Sequence, residues 1–416
     1  MAQHPIGMSW CDLVQEPAVV RQWRAAFAAG LITLLPLLLA VDLYIDDLER
    51  AMDGNLNWVR VGRSATAVAP LYTLVSIALL SAVGVACARA HGIRSPFWSA
   101  VSSLPLIAQP YGLQAMSYGF DSLFMALALA AAVVAALLVN LSARWPMLLT
   151  AMALELVAFN LYQPAANGFL VMSGCLCVAS LLDLLDRSRP VLSLPRRLIG
   201  SAAVYCGAFG TYRLLIALFA EHRLNTYALN SAEFKAIDAS LPMALLRSAM
   251  EPLQQLVWDF GRWPVEFPLL LVVVSYAYGH AFEAQARFEQ SRLSRIVGAV
   301  SVLQAAHPDQ QPRYLVVQGT MPRSPVLENT VRKFPLIDRL VPPLLDGDQT
   351  FSFGQLRLHG LDLQRRKTKQ FGEALPTTCA PSADAICTHE FSLQSVGDDT
   401  LVLQLATDAA QERSST

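Results

Sequence analysis

Charge is scarce in this chain. Asp, Glu, Lys and Arg make up 15% of its 416 residues, where an ordinary soluble domain carries about 25%. The charges that exist balance to −1, so no broad field attracts nucleic acid, and no nucleic-acid partner is expected. Cysteine is scarce too. The seven cysteines have no framework spacing, and no CxxC or His-rich pair points to structural zinc. Internal repeats, which build many transporters, do not stand out. What fills the chain is hydrophobic: 54% of residues, with mean hydropathy +0.41. Charge is costly in hydrocarbon, so this composition reads as a multi-span membrane protein.

A span needs roughly 17–25 mostly apolar residues. Eight segments qualify: 25–43, 64–88, 96–109, 122–141, 145–162, 165–182, 198–220 and 263–282. The third is short and interrupted by Pro105, and Pro36 is a kink candidate in the first. The first is followed by acids and an aromatic rather than by a small-residue cleavage site, so it reads as a span and not as a removable signal. Connectors rich in arginine (Arg89 and Arg94; Arg144; Arg187, Arg189, Arg196 and Arg197; Arg287, Arg292 and Arg295) alternate with acidic, neutral or mixed ones. The bias of basic residues toward the cytoplasm puts the first set inside. Both termini are then cytoplasmic, and the loop after the first span faces outward. Residues 229–249 have helical apolar spacing and suit the membrane interface.

After Phe282 the pattern changes. Residues 283–306 continue as a basic amphipathic helix. Residues 313–319 read as a strand, Ser324-Pro325 as a helix start, and 351–361 as a half-buried strand. Residues 391–396 and 401–405 flank a Gly-Asp-Asp-Thr turn and read as a hairpin. The expected fold is therefore an all-α polytopic membrane protein of about eight transmembrane helices with a small C-terminal α/β cytoplasmic domain. The expected division is 1–283 for the membrane catalytic domain and 284–416 for the amphipathic helix and soluble domain. The tail holds no glycine-rich phosphate loop.

The first outward loop carries more than solvation needs. Asp46 and Asp47 stand beside Glu49, Asp53, Arg50, Arg60 and Arg63. Transfer to a hydroxyl needs a base, and a placed carboxylate contributes roughly 10²–10⁴-fold; a solvated helix end is the bland reading of the same acids. Arginines match phosphate oxygens and meet the charge of a phosphate leaving group, although snorkelling also places them at an interface. Trp58 suits stacking on a sugar, or the aromatic belt. The second outward loop holds Gln109, Tyr111, Tyr118 and Asp121 and no Lys or Arg, which suits hydrogen bonding to sugar hydroxyls; Asp121 equally suits a helix cap. The third turn adds Tyr162 and Gln163. Glu155 and Arg213 are charges inside spans, a pattern that marks function by default, or else a mutual pair. These loops are expected to converge on one face of a helical bundle. The residues fix no cofactor; a divalent metal ion is a candidate, with Asp46, Asp47 and Asp121 available as ligands.

Two motifs carry a resemblance. YIDDLERAxxGxxxWxxxGR after the first span, and QPYxLQxMSYxFDSLxMALAL after the third, resemble the GtrII-type glucosyltransferases of bacterial O-antigen modification. The turn NLYQPAAN and the proline-rich stretch 319–343 fit the same family. The resemblance implies a GT-C-like enzyme of the bacterial inner membrane. It would move a sugar, glucose by the family's name, from a polyprenyl-phosphate carrier to an extracytoplasmic acceptor such as lipid-linked O-antigen polysaccharide. It maps the catalytic base to Asp46 or Asp47. Gly119 departs from the pattern, where an arginine is expected. The competing readings are a transporter or flippase for a lipid-linked sugar, which would use intramembrane charge, and an assembly scaffold acting through the tail.

Overall fold

The computed structural model describes residues 16–40, 55–56, 59–60, 69–118, 121–141, 144–187, 193–220, 267–307, 312–343, 345, 356, 361, 363–365, 385–388, 390–396 and 399–405. The chain divides into two compact units. One comprises 1–34, 71–116 and 121–273; the other comprises 35–70, 117–120 and 274–416.

In the first unit, helix α1 (Pro17–Thr33) starts eight residues before the expected span and stops at Leu34. The short helix α2 (Leu35–Leu39) follows in the chain and belongs to the second unit. The break falls just before Pro36, which has no N–H to give to the preceding turn. Helices α3 (Ala69–Ala90) and α4 (Pro96–Ile107) pack tightly. A Cβ at Gly84 would lie 2.4 Å from Ser103 Oγ and 3.0 Å from Ser103 Cα, so the close approach depends on a missing side chain. At the arginine-bearing end, Arg89 Nη2 meets Glu16 Oε2 at 2.6 Å, and Arg89 Nη1 donates to Gln22 Oε1 at 3.0 Å. Gln22 is fully buried and donates in turn to Ser99 Oγ at 2.9 Å. A buried amide is thereby satisfied at both ends.

Helix α5 (Pro110–Ser117) occupies a stretch expected to be a connector. Helices α6 (Ser122–Leu141), α7 (Trp145–Leu161), α8 (Gln163–Arg187) and α9 (Ser193–Leu215, continued by a π turn at Ile216–Ala220) form a bundle. Its core is built from small residues: Ala128, Ala132, Ala135 and Ala136 of α6, Ala151 and Ala158 of α7, and Ala208 of α9. Small side chains let backbones approach where lipid supplies no hydrophobic drive.

Among the described residues, three helical stretches are long and apolar enough to cross a membrane: Leu71–Ala90, Ser122–Asn140 and Pro195–Phe219. Pro96–Ile107, Trp145–Leu161 and Gln163–Ala179 are shorter apolar helices. These describe a membrane protein by length and composition; the eight-span count goes further than they do.

In the second unit, α10 (Phe267–Ala306) is one continuous helix of 40 residues. At 1.5 Å per residue it is about 60 Å long, twice the hydrocarbon thickness. The expected boundary at 283/284 falls inside it. Gly279 lies against α2, where an added Cβ would be 2.7 Å from Pro36 Cβ. The far half presents Leu293, Ile296, Val300 and Leu303 to a sheet. That sheet has the order β4-β3-β7-β6-β5, with β3 at Tyr314–Gln318, β4 at Gln364–Arg365, β5 at Ala385–Cys387, β6 at Phe391–Val396 and β7 at Thr400–Leu405. Strand β3 runs parallel to β4 and β7, while β6 is antiparallel to both neighbours. The expected strand at 314–318 and the hairpin at 391–405 are both present. The expected strand over 351–361 is not seen at Leu356, which is helical. Helix α11 (Pro325–Lys333) starts where Ser324-Pro325 implied, with Ser324 Oγ accepting from Leu327 N at 3.2 Å. Helix α12 (Leu336–Leu340) follows.

Candidate functional site

The acidic loop that follows the first expected span is described at four residues. Asn55–Leu56 (β1) pairs antiparallel with Val59–Arg60 (β2), with Asn55 opposite Arg60. Arg60 thus sits in a short hairpin. Asp46, Asp47, Arg50, Trp58 and Arg63 lie outside the described residues.

In the segment between α4 and α6, Gln109 precedes α5 and Tyr111 lies in its first turn. Tyr118 follows α5 and is partly buried. Ser117, at the end of α5, accepts a 3.0 Å hydrogen bond from Tyr278 OH of α10. Asp121 is 7% exposed and stands at the head of α6, its carbonyl accepting from Met125 N at 2.9 Å.

The bundle gathers the remaining candidates. Tyr162 closes α7, its N–H returning to Ala158 O at 2.9 Å. Asp121 lies within electrostatic reach of the Tyr162 hydroxyl. Gln163 opens α8, and its amide nitrogen donates to Tyr212 OH on α9. Arg213 is the next residue along α9 and is partly buried. The structure therefore brings Asp121, Tyr162 and Gln163 together at one end of the bundle, with Arg213 beside the tyrosine that Gln163 holds.

Sequence reasoning missed the tyrosines. Tyr212 is 9% exposed and stacks on Phe159 at 5.5 Å and 20°. Two turns earlier on α9, Tyr205 OH donates to Asn167 Oδ1 at 2.9 Å. Phe159 also touches Tyr205 and Phe209. Two polar rungs, Gln163–Tyr212 and Asn167–Tyr205, therefore join α8 to α9 beside an aromatic cluster. A signal existed: Gln163 and Asn167 are four apart, while Tyr205 and Tyr212 are seven apart, so each pair shares one helix face.

Glu155 is the anomaly. It lies one turn from Phe159 on α7 and is fully buried, and neither carboxyl oxygen has a hydrogen-bond partner. The Tyr205 hydroxyl on α9 lies within its electrostatic reach. The expected pairing with Arg213 is not formed. Arg213 lies eight residues beyond Tyr205, about 12 Å further along the helix, at the level of the α7 terminus. A buried polar group without a partner costs on the order of 1–3 kcal/mol.

A metal ion would need converging ligands. Among the described residues no group of three or more His, Cys, Asp or Glu side chains gathers, and Asp46 and Asp47 lie outside them.

Comparison with known proteins gives one result. The family described as Glucosyl transferase GtrII matches residues 35–305. That span is well over half of the chain, and takes in both motif-bearing loops and the whole α6–α9 bundle. No curated protein and no solved structure matches.

Proposed function

The chain belongs to the GtrII glucosyl transferase family, and on that premise we propose that it moves glucose from a polyprenyl-phosphate carrier to an acceptor outside the cytoplasm, such as lipid-linked O-antigen polysaccharide. The observation that carries this reading is the extent of the family match, which spans the acidic loop and the polar bundle mouth together. Asp46 or Asp47 takes the proton from an acceptor hydroxyl. The acceptor oxygen bonds to the anomeric carbon as the bond from that carbon to phosphate oxygen breaks. The polyprenyl phosphate leaves with the electron pair, and Arg50 or Arg63 meets its charge; Arg60 of the same loop is a further phosphate contact. Trp58, Gln109, Tyr111, Tyr118, Asp121, Tyr162, Gln163 and Arg213 supply stacking and hydrogen bonds to sugar.

Asp46→Asn and Asp47→Asn test this reading. One of them is expected to lower glucose transfer in membranes by at least about 10²-fold, the low end of a base's contribution, with protein level unchanged. Full activity in both single variants overturns it.

The transporter reading is favoured by one observation, the orphan carboxyl of Glu155 inside the bundle. Transporters keep such groups. Glucose transfer by purified protein in detergent, where there is no membrane to cross, decides for the enzyme.

We also place the protein in the bacterial inner membrane with its active-site loops outside. The charge bias supports cytoplasmic termini. One observation pulls the other way: Cys387 is disulfide-bonded, and such bonds persist in oxidising compartments. Labelling intact cells with an impermeant maleimide after mild reduction decides. Cytoplasmic placement predicts no labelling of Cys387 until the membrane is opened.

A further inference from the structure

We propose that Glu155, Ser173 and Ser201 form a sodium site inside the α6–α9 bundle. The proposal rests on the packing of that bundle alone and stands for an enzyme and for a transporter alike.

The three residues lie one helical turn below one aromatic layer. The Phe159 ring of α7 meets Tyr205 of α9 at 5.5 Å, and the Phe169 ring of α8 stacks on the same Tyr205 at 6.2 Å and 25°. Glu155 is four residues from Phe159, Ser173 four from Phe169 and Ser201 four from Tyr205, so each shares the helix face of its ring. Helices α7 and α9 rise toward the mouth and α8 descends from it, so all three steps lead away from the mouth. The register agrees. Gln163 bonds Tyr212 and Asn167 bonds Tyr205, and the same antiparallel ladder, continued down the bundle, sets Ser173 level with Ser201. Glu155 approaches this layer from α7. Side chains lean toward the start of their own helix, which carries the Glu155 carboxyl down toward the serines.

The oxygens of this layer are buried and unpartnered. Glu155 is 0% exposed, Ser173 5% and Ser201 6%. Neither carboxyl oxygen and neither hydroxyl has a hydrogen-bond partner. A serine inside a helix ordinarily bonds the carbonyl one turn back. The buried hydroxyls of Ser76, Ser81 and Ser103 each do so at 2.7 Å. Ser173 and Ser201 forgo that bond, so their oxygens are turned elsewhere.

Chemistry selects the ligand. The layer offers two carboxylate and two hydroxyl oxygens, hard donors that suit a hard cation. It carries one negative charge, and no basic side chain bonds it. A monovalent ion neutralises that charge. A divalent ion would leave a net positive charge in an apolar bundle, which is costly. Serine hydroxyls replace water around the ion, as backbone carbonyls do in ion filters. Sodium bound there links α7, α8 and α9 below the polar mouth and offsets the cost of the bare carboxyl.

The test measures radioactive sodium bound to full-length protein in detergent by equilibrium dialysis, with choline chloride holding the ionic strength. Saturable binding of one ion per chain is expected. Sodium should also raise the unfolding temperature, because it binds the folded state alone. Glu155→Gln should abolish both effects, and Ser173→Ala and Ser201→Ala should each weaken binding several-fold. Ser76→Ala, which removes a back-bonded hydroxyl in α3, should leave binding unchanged. Helix content checks that each variant is folded, and the two alanine variants carry the test if Glu155→Gln is not. No saturable binding overturns the site. Parental binding in the folded variants at Glu155, Ser173 and Ser201 places the ion elsewhere and overturns it too. So does an infrared band of a protonated carboxyl that persists in saturating sodium and vanishes in Glu155→Gln, since the acid then holds a proton in place of the ion.

Discussion

Replacing Glu155 by leucine should make this protein more stable, not less. The carboxyl is fully buried, neither oxygen has a hydrogen-bond partner, and Glu155 shares its helix face with Ala151, Ala158 and Phe159 of the bundle core. Removing an unsatisfied buried polar group recovers about 1–3 kcal/mol. Leucine is close in volume, so overpacking should cost less than about 1.5 kcal/mol. The net expectation is stabilisation of about 1–2 kcal/mol. Glu155→Ala also removes the orphan but opens a cavity, so its net effect should be near zero. Glu155→Gln keeps an unsatisfied group and should stay within about 1 kcal/mol of the parent. Reversible unfolding in mixed micelles, followed by helix content, orders the three variants. A leucine variant less stable than the parent by 1 kcal/mol or more would mean that the carboxyl has a stabilising partner, and the reasoning fails. The same variants address function. If a ligand uses this carboxyl, transfer activity falls in the leucine variant while stability rises. Unchanged activity would remove Glu155 from the mechanism and with it the main support for the transporter reading.

Two further outcomes follow from the packing. Tyr212→Phe keeps the ring on Phe159 and loses only the acceptor for Gln163, a bond worth about 0.6 kcal/mol between membrane helices. Tyr212→Ala also loses the buried ring, about 3–5 kcal/mol, so equal losses in the two variants would refute the assigned geometry. Gly84→Ala forces a Cβ against Ser103 backbone and side chain and should cost about 1–3 kcal/mol. Adding Ser103→Gly should recover part of that loss in a double-mutant cycle, and strict additivity would show that the two helices do not meet there.

The helices were legible because charge is so scarce. Runs such as 122–141 and 145–162 leave no other reading, and α6 and α7 follow them closely. Proline shows where the reading divides. Ser324-Pro325 reads as a helix start and is one. Gln109-Pro110 lies between two apolar runs and reads as part of a connector, yet α5 begins on Pro110. The difference lay in context: residues 110–121 fell between two apolar runs, where a loop was needed to reverse the chain. A helix of eight residues fills that role while still ending at Ser117.

The bundle mouth was half legible. Asp121, Tyr162 and Gln163 announced themselves as polar residues at span ends. Tyr205 and Tyr212 did not, because an aromatic inside an apolar run is equally at home in a core. Their role emerges only once α8 and α9 run antiparallel, which sets Gln163 against Tyr212 and Asn167 against Tyr205. The same relation separates Glu155 from Arg213. In sequence they are two opposite charges in spans, a natural pair. In space α7 and α9 run the same way, with Phe159 level with residues 205–212. Glu155 is then one turn deeper than Phe159, while Arg213 is level with the mouth. Charge count alone cannot show this, since pairing depends on axial height as well as on sign. An arginine at the mouth and an acid left alone below it are different resources. The arginine stands among the sugar-binding candidates, whereas the acid lies one turn below them, buried and without a hydrogen-bond partner.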